Sequence, residues 1–254
     1  MKIVTLLGVM ALAPAILAAA DAPYIGKWKL NPAKSQLTGE TATIEKTSNG
    51  MMRFGAGDVS YTFNLDGKEY PTPDGGTTAW KATDANNWDV TNRVNGKTQM
   101  NYRLTTKGDT LTVQMTVHKP DGGTVEQSSV WTRVSGGPGP MGKWRSSEVK
   151  AAATVFEIAA NGADGIAITD ATFGFTCSAK FDGKEYRNTG PSAGGKSTFI
   201  FKTLGPRSFE MTQKTEGKAV YVDTYTVSAD GKTLTDDGSP LSAKEPIKAV
   251  YDRQ

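Results

Sequence analysis

The sequence of 254 residues has few of the side chains on which catalytic and metal sites usually depend. It contains one histidine, His118, and one cysteine, Cys177. Together they are too few good ligands for a zinc site, and a single cysteine cannot close a disulfide within the chain. A serine-nucleophile elbow, Gly-x-Ser-x-Gly, is also missing. We therefore predict no catalytic residue, no metal and no cofactor. A non-enzymatic role is favoured, and enzymatic activity stays open.

Long apolar runs are missing after residue 20. Residues 1–20 combine Lys2, an apolar run over 3–17 and three alanines before Asp21, which is the pattern of a cleaved signal peptide. We expect a periplasmic or secreted protein with no membrane span after cleavage. The formal net charge of +3 includes no basic stripe interleaved with aromatic residues, so we expect no nucleic-acid partner.

Helical periodicity is missing too, and apolar and polar residues alternate instead. Val59, Tyr61, Phe63 and Leu65, for example, alternate with polar residues, as on a strand with one apolar face. Asn-Gly and Asp-Gly pairs supply the turns between such segments. The spacing predicts about ten strands per repeat, in the first at 26–30, 42–47, 51–55, 59–65, 68–71, 77–83, 88–94, 98–106, 109–118 and 124–134.

The chain repeats itself over domain-sized lengths. Gly26-Lys27-Trp28 returns as Gly142-Lys143-Trp144, and Asp66-Gly67-Lys68-Glu69-Tyr70 returns as Asp182-Gly183-Lys184-Glu185-Tyr186, both 116 residues later. We predict an all-β protein of two tandem antiparallel up-and-down β-barrels, because closing the sheet removes its edges; β-sandwiches are the alternative. The predicted units are a signal peptide over 1–20, barrels over 21–134 and 141–254, and a linker over 135–140.

Both repeats begin with Gly-x-Trp and end with an arginine: Gly26, Trp28 and Arg133 in the first, and Gly142, Trp144 and Arg253 in the second. This bracket resembles the calycins, the group of lipocalins and fatty-acid-binding proteins. The resemblance implies that these six residues are structural. In each repeat the tryptophan would plug the closed end of the barrel and the arginine of the same repeat would pack across it.

The resemblance also implies a ligand cavity, but the carboxylate clamp of fatty-acid-binding proteins is missing. Where that group has an arginine two positions before the last-strand aromatic residue, this chain has Ser129 and Ala249. A neutral apolar ligand is therefore as plausible as a fatty acid. The candidate ligand-binding residues are Trp131 and Tyr251, with Tyr61, Phe63 and Phe175 as weaker candidates; simple core packing is the alternative for all five.

Three further expectations concern polar and reactive groups. We place His118 at an exposed hairpin tip and Cys177 in the core as an inert thiol. We assign Asp236-Asp237-Gly238 to a turn and the repeated Asp-Gly-Lys-Glu-Tyr motif to a hairpin turn.

These observations favour an exported, non-enzymatic protein that binds a small apolar or amphipathic molecule inside a β-barrel. The phenylalanine-rich second repeat is the expected ligand holder. An isomerase, cyclase or hydratase on a lipocalin scaffold is one alternative, and an envelope protein-interaction module is another. The sequence does not specify an oligomeric state.

Overall fold

A computed structural model describes residues 22–241 and 247–254, so the predicted signal peptide lies outside the described residues. The described chain forms twenty strands in two antiparallel sheets, with a 3₁₀ turn at Pro32–Lys34 and no α-helix. None of the described residues forms a helix long and apolar enough to cross a membrane. The strands of the first half are β1 (Gly26–Leu30), β2 (Thr41–Lys46), β3 (Met52–Ala56), β4 (Val59–Phe63), β5 (Asp66–Pro71), β6 (Thr77–Ala82), β7 (Asn87–Val94), β8 (Lys97–Lys107), β9 (Thr110–His118) and β10 (Thr124–Ser135). Those of the second half are β11 (Gly142–Lys150), β12 (Val155–Ala160), β13 (Gly165–Asp170), β14 (Phe175–Lys180), β15 (Tyr186–Arg187), β16 (Ser197–Gly205), β17 (Ser208–Thr215), β18 (Lys218–Val227), β19 (Thr233–Pro240) and β20 (Ile247–Arg253).

Each sheet contains ten strands and curls into a nearly closed barrel. The prediction of two tandem up-and-down barrels is therefore confirmed, and the strand positions of the first repeat agree within a few residues. Each sheet has its two ends at neighbouring strands, β4 and β5 in one and β14 and β15 in the other. The repeated Asp-Gly-Lys-Glu-Tyr motif lies at these seams. It was predicted to form a hairpin turn, but its first copy lies within β5, and β4 does not pair with β5, nor β14 with β15.

The two barrels exchange their first strands. One sheet contains β2 to β11, and we call it the first barrel; the other contains β1 and β12 to β20, and we call it the second barrel. Strand β11 pairs with β10 and β2, whereas β1 pairs with β20 and β12. The sheets thus divide the chain differently from the predicted units 21–134 and 141–254, and residues 135–140 connect two strands of one sheet.

The short connection between β10 and β11 gives the physical reason for the exchange. Residues 136–141 return the chain directly, so β11 pairs with the strand that precedes it, as strands adjacent in sequence usually do. The place that β1 would take in the first barrel is thereby filled. Strand β1 instead fills the equivalent place in the second barrel, where Trp28 faces Arg253 across the ladder.

The six residues expected to be structural lie together, but with exchanged partners. The Arg133 guanidinium lies 4.1 Å above the ring of Trp144, and that of Arg253 lies 4.2 Å above the ring of Trp28. The predicted pairing within each repeat is therefore wrong, because the tryptophans move with β1 and β11. Both indoles are fully buried, and each donates its Nε1 hydrogen to a backbone carbonyl four residues earlier.

The two glycines of the bracket make room for the arginines. Gly26 and Gly142 have φ of +144° and +136°, and a Cβ at Gly26 would stand 2.6 Å from Nη1 of Arg253. At Gly142 a Cβ would stand 2.5 Å from the Ser135 carbonyl oxygen and 3.0 Å from Nη1 of Arg133. Glycine is required because any side chain would displace the guanidinium from the indole face.

Candidate functional site

The first barrel contains a cavity of about 650 Å³ with mainly apolar walls. Three predicted ligand-binding residues, Tyr61, Trp131 and Phe175, line it. The Trp131 indole donates a hydrogen bond of 2.7 Å to the Ser129 hydroxyl, so this serine holds the aromatic ring in place. Burial raises the pKa of Tyr61 to about 12, opposed in part by the side chains of Thr78 and Trp80. Its hydroxyl is therefore neutral at physiological pH.

Phe63, another predicted ligand-binding residue, lines neither this cavity nor the cavity of the second barrel. It is fully buried, and its ring stacks on Trp80 at a centroid distance of 4.3 Å. Phe63 is therefore a core residue, as the alternative interpretation had it. The ring that reaches the cavity surface is the indole of Trp80, on which Phe63 stacks.

The second barrel contains a smaller cavity of about 390 Å³, lined in part by Tyr251 and Phe175. The phenylalanines of the second repeat explain the smaller volume. Phe201 and Phe209 are fully buried and stack at 6.3 Å, so they fill the barrel. The larger space lies in the first barrel, and the prediction that the phenylalanine-rich repeat holds the ligand stays a prediction.

The two cavities meet at a common wall. Five residues line both: Asp74, Phe173, Phe175, Ser192 and Gln213. The open ends of the barrels therefore face each other across these five residues.

Loops from both barrels hold these open ends together. The Asn95 side chain donates a hydrogen bond of 3.2 Å to the Ala193 carbonyl, and the Lys196 amide donates one of 3.4 Å to the Asp74 carbonyl. The Gly75 backbone packs so closely on Gly194 that a Cβ at residue 75 would overlap the Gly194 carbonyl oxygen. The entrance of each barrel is thus covered largely by the other barrel.

A pair of carboxyl groups, Asp223 and Asp236, lies inside the second barrel. Asp223 follows Tyr221 and precedes Tyr225 on one face of β18, and it lies across from Gly238 of β19. Asp236 was assigned to a turn, but it lies in the middle of β19, opposite Tyr225. That assignment is wrong, because Gly238 lies within the strand and not in a turn. A Cβ at Gly238 would stand 2.5 Å from Asp223 Oδ1, so glycine leaves the space that the carboxyl group occupies.

Burial controls the ionisation of this pair. It raises the pKa of Asp223 to about 7. It also raises the pKa of Asp236 well above its usual range, and the nearby Asp223 charge adds to that effect. Burial, with the neighbouring carboxylates, raises the pKa values of Tyr225 and Tyr251, so both hydroxyls remain protonated. The pair holds a proton that isolated aspartates would have lost at neutral pH.

The sequence carried a signal for Asp223 that the repeat comparison did not use. Tyr221, Asp223, Tyr225 and Val227 alternate along β18, which places the carboxyl on an aromatic, inward face. The inward position of Asp236 could not be recognised in the same way, because the sequence Asp-Asp-Gly is typical of turns. The contact between the two aspartates depends on the pairing of β18 with β19, which sequence alternation does not specify.

The single histidine and the single cysteine lie away from this pair. Cys177 is fully buried, as expected, and burial raises the pKa of its thiol to about 11. His118 ends β9 and is partly buried rather than exposed at a hairpin tip, because its Nε2 lies 2.9 Å from the Asn101 side-chain nitrogen. Within the described residues, no group of three or more histidine, cysteine or acidic side chains is placed to hold a metal ion.

Comparison with known proteins finds no family model that matches this chain, and no curated protein that it significantly resembles. The architecture that the structure shows is a tandem β-barrel.

Proposed function

We propose that this protein is a calycin-like carrier that encloses a small apolar or amphipathic molecule, in the periplasm or outside the cell. The observation that carries the proposal is the common wall of the two cavities, which makes one sheltered interior from two barrels. Their volumes of about 650 and 390 Å³ lie in the range of ordinary small-molecule sites.

The walls indicate how such a ligand would be held. Aromatic side chains supply apolar contact area, as Tyr61, Trp131 and Phe175 do around the larger cavity. The Trp80 Nε1 is buried and makes no hydrogen bond of normal geometry with any described residue, so a ligand oxygen could accept from it. Burial of ligand surface would provide most of the affinity, and such polar groups would fix its orientation.

Native mass spectrometry tests the proposal directly. The protein is purified from its native host, and its mass is measured before and after denaturation. We expect a co-purifying small molecule that is lost on denaturation. A bare mass, together with unchanged tryptophan fluorescence across a panel of apolar ligands, would refute the carrier function.

Two variants of one strand localise the ligand. Val113→Phe adds a ring inside the larger cavity, and Gln114→Phe adds the same ring to the exposed face of β9. We expect the first variant to lose ligand and the second to retain it. Equal retention by both variants would place the ligand outside the first barrel.

The enzymatic alternative has one structural feature in its favour. A carboxyl group that keeps its proton near neutral pH can act as a general acid, and Asp223 has that property. An isomerase, cyclase or hydratase would then convert the enclosed molecule. Liquid chromatography with mass spectrometry of an added ligand after incubation tests this, because it also separates isomers of equal mass: an altered product with the wild type, and none with Asp223→Asn, would support an enzyme.

A further inference from the structure

We propose that Asp223 and Asp236 bind the positively charged amino group of an amphipathic ligand whose apolar part extends into the first barrel. This inference rests on the proposed carrier function and names the chemical class of its ligand.

The first argument is that the pair is buried without sufficient partners. Asp223 is 9% exposed, and no hydrogen bond offsets the effect of burial on the pKa of its carboxyl group. The Asp236 Oδ1 atom is buried and has no hydrogen-bond partner within the described part of the chain. Unpaired buried carboxyl groups are unfavourable, and they occur chiefly where a ligand completes their environment.

The second argument is the position of the pair beside the cavity. Asp223 shares its strand face with Tyr225 and lies across the ladder from Met211 of β17, and both neighbours line the second cavity. The Asp223 carboxyl group is thus directed into the barrel next to residues that line the cavity, and neither aspartate lines the cavity itself.

The carboxyl groups at and beside the second cavity favour a positively charged ligand group. Asp74 and Asp170 place two carboxyl groups on the cavity wall, and among the described residues of that wall the cation is Arg187, whose Nη1 donates to the Gly195 carbonyl at 2.5 Å. An anionic group placed against Asp223 and Asp236 would therefore meet further carboxyl groups. An ammonium group would supply up to three donors and a positive charge.

The aromatic rings around the pair also suit an ammonium group. Phe156 lies edge-on to Tyr251 at 4.9 Å and to Tyr225 at 6.4 Å, which forms an aromatic corner next to the carboxyl groups. Ring faces attract cations, especially in a site that excludes water. A divalent metal fits less well, since it prefers six or more oxygen ligands and the described chain offers no cluster of three acidic groups.

Three probes of equal chain length test the inference by isothermal titration calorimetry near neutral pH: decylamine, 1-decanol and decanoic acid. We expect decylamine to bind at least about tenfold more tightly than decanol, and decanoic acid to bind most weakly. In the double variant Asp223→Asn/Asp236→Asn, we expect the preference for the amine to fall to about twofold or less while decanol affinity is retained.

Asp237→Asn is the matched control. It removes one negative charge from the same strand, but Asp237 points outward, where it forms a 3.7 Å ion pair with Lys248. We expect this variant to keep the preference for decylamine. Equal binding of amine and alcohol, or a preference that survives the double substitution, would overturn the inference while leaving the carrier function intact. Failure of all three probes to bind would instead refute the carrier function itself.

Discussion

At the scale of single residues, buried charge is the most consequential feature of this protein. Asp223 and Asp236 lie inside a barrel whose other inward side chains are mostly apolar or aromatic. Removing two ionised carboxyl groups from water without a cation destabilises the fold, and protonation limits that effect. The pair therefore links the stability of the protein to pH.

We predict that this pair makes the protein more stable in mild acid than at neutral pH. The pKa of Asp223 is raised from 3.8 in the unfolded chain to about 7, so between those values the folded state holds a proton that the unfolded state has lost. The free energy of unfolding should fall by about 1–4 kcal/mol as pH rises through this window. Chemical denaturation at several pH values measures this.

The variants separate this effect from other titrations. The double variant Asp223→Asn/Asp236→Asn should lose the pH-dependent component, and Asp237→Asn should retain it. A double variant whose stability follows the wild-type pH profile would show that other groups cause the dependence. The facing tyrosines, Tyr221, Tyr225 and Tyr251, all have raised pKa values and stay neutral over this range.

We predict that Gly142→Ala destabilises the protein more than a glycine substitution in an open turn. Gly142 combines a φ of +136° with a guanidinium and a carbonyl oxygen in the space that a Cβ would occupy. Gly96 has a φ of +74° but nothing within 4 Å, so Gly96→Ala reports the backbone strain alone. We expect Gly142→Ala to cost about 1–3 kcal/mol more in urea denaturation. An equal loss of unfolding free energy in Gly142→Ala and Gly96→Ala would mean that the Arg133 guanidinium can move away from the added methyl group without cost.

At the scale of strands, the exchange of β1 and β11 is the main result. The two strands begin almost identically, with Gly-Lys-Trp, so each carries the tryptophan and the glycine that a barrel needs. Either strand could fill either place. The exchange also joins the barrels twice, because residues 31–40 and 151–154 both cross from one barrel to the other.

We predict that Trp28→Ala loosens the second barrel and Trp144→Ala loosens the first. Each change removes a fully buried indole and should cost about 3–5 kcal/mol. Hydrogen exchange followed by mass spectrometry should show faster exchange in β12 and β20 for Trp28→Ala, and in β2 and β10 for Trp144→Ala. The reverse assignment would show that the strands are not exchanged.

At the scale of the whole molecule, the facing open ends decide what can enter. Each barrel alone would expose its cavity to water, and the apposed loops cover both entrances. Access then depends on local opening between the loop over 72–76 and the loop over 188–196, which contain several glycines and few buried apolar side chains.

We predict that Gly75→Ala weakens this closure. A Cβ there would overlap the Gly194 carbonyl at a φ of +93°, whereas Gly50 has a similar φ of +85° and nothing within 4 Å. Relative to Gly50→Ala, we expect Tm to fall by about 2–8 °C and quenching of tryptophan fluorescence by acrylamide to increase. Unchanged quenching would mean that the loops do not control access to Trp80 and Trp131, which line the larger cavity.

The sequence by itself determined the elements of this protein. Alternation and Asn-Gly or Asp-Gly turns located the strands, and comparison of the repeats identified Trp28, Trp144, Arg133 and Arg253 as parts of the scaffold. These features were predictable because they depend on neighbours a few residues away, or on a pattern present twice. Among the predicted lining residues, Tyr61 and Trp131 could be placed by strand face alone, whereas Phe63 needed knowledge of where Trp80 packs.

Only the tertiary structure decided which strands belong together and what they enclose. Strands β1 and β11 begin with the same Gly-Lys-Trp sequence, so two equivalent places exist for two similar strands. The short connection over 136–141 decides which strand takes which place, because it pairs β11 with β10. The common wall of the cavities and the contact of Asp223 with Asp236 both follow from that arrangement or from strand register. They join residues distant in sequence, so the local patterns that specify strands carry no information about them.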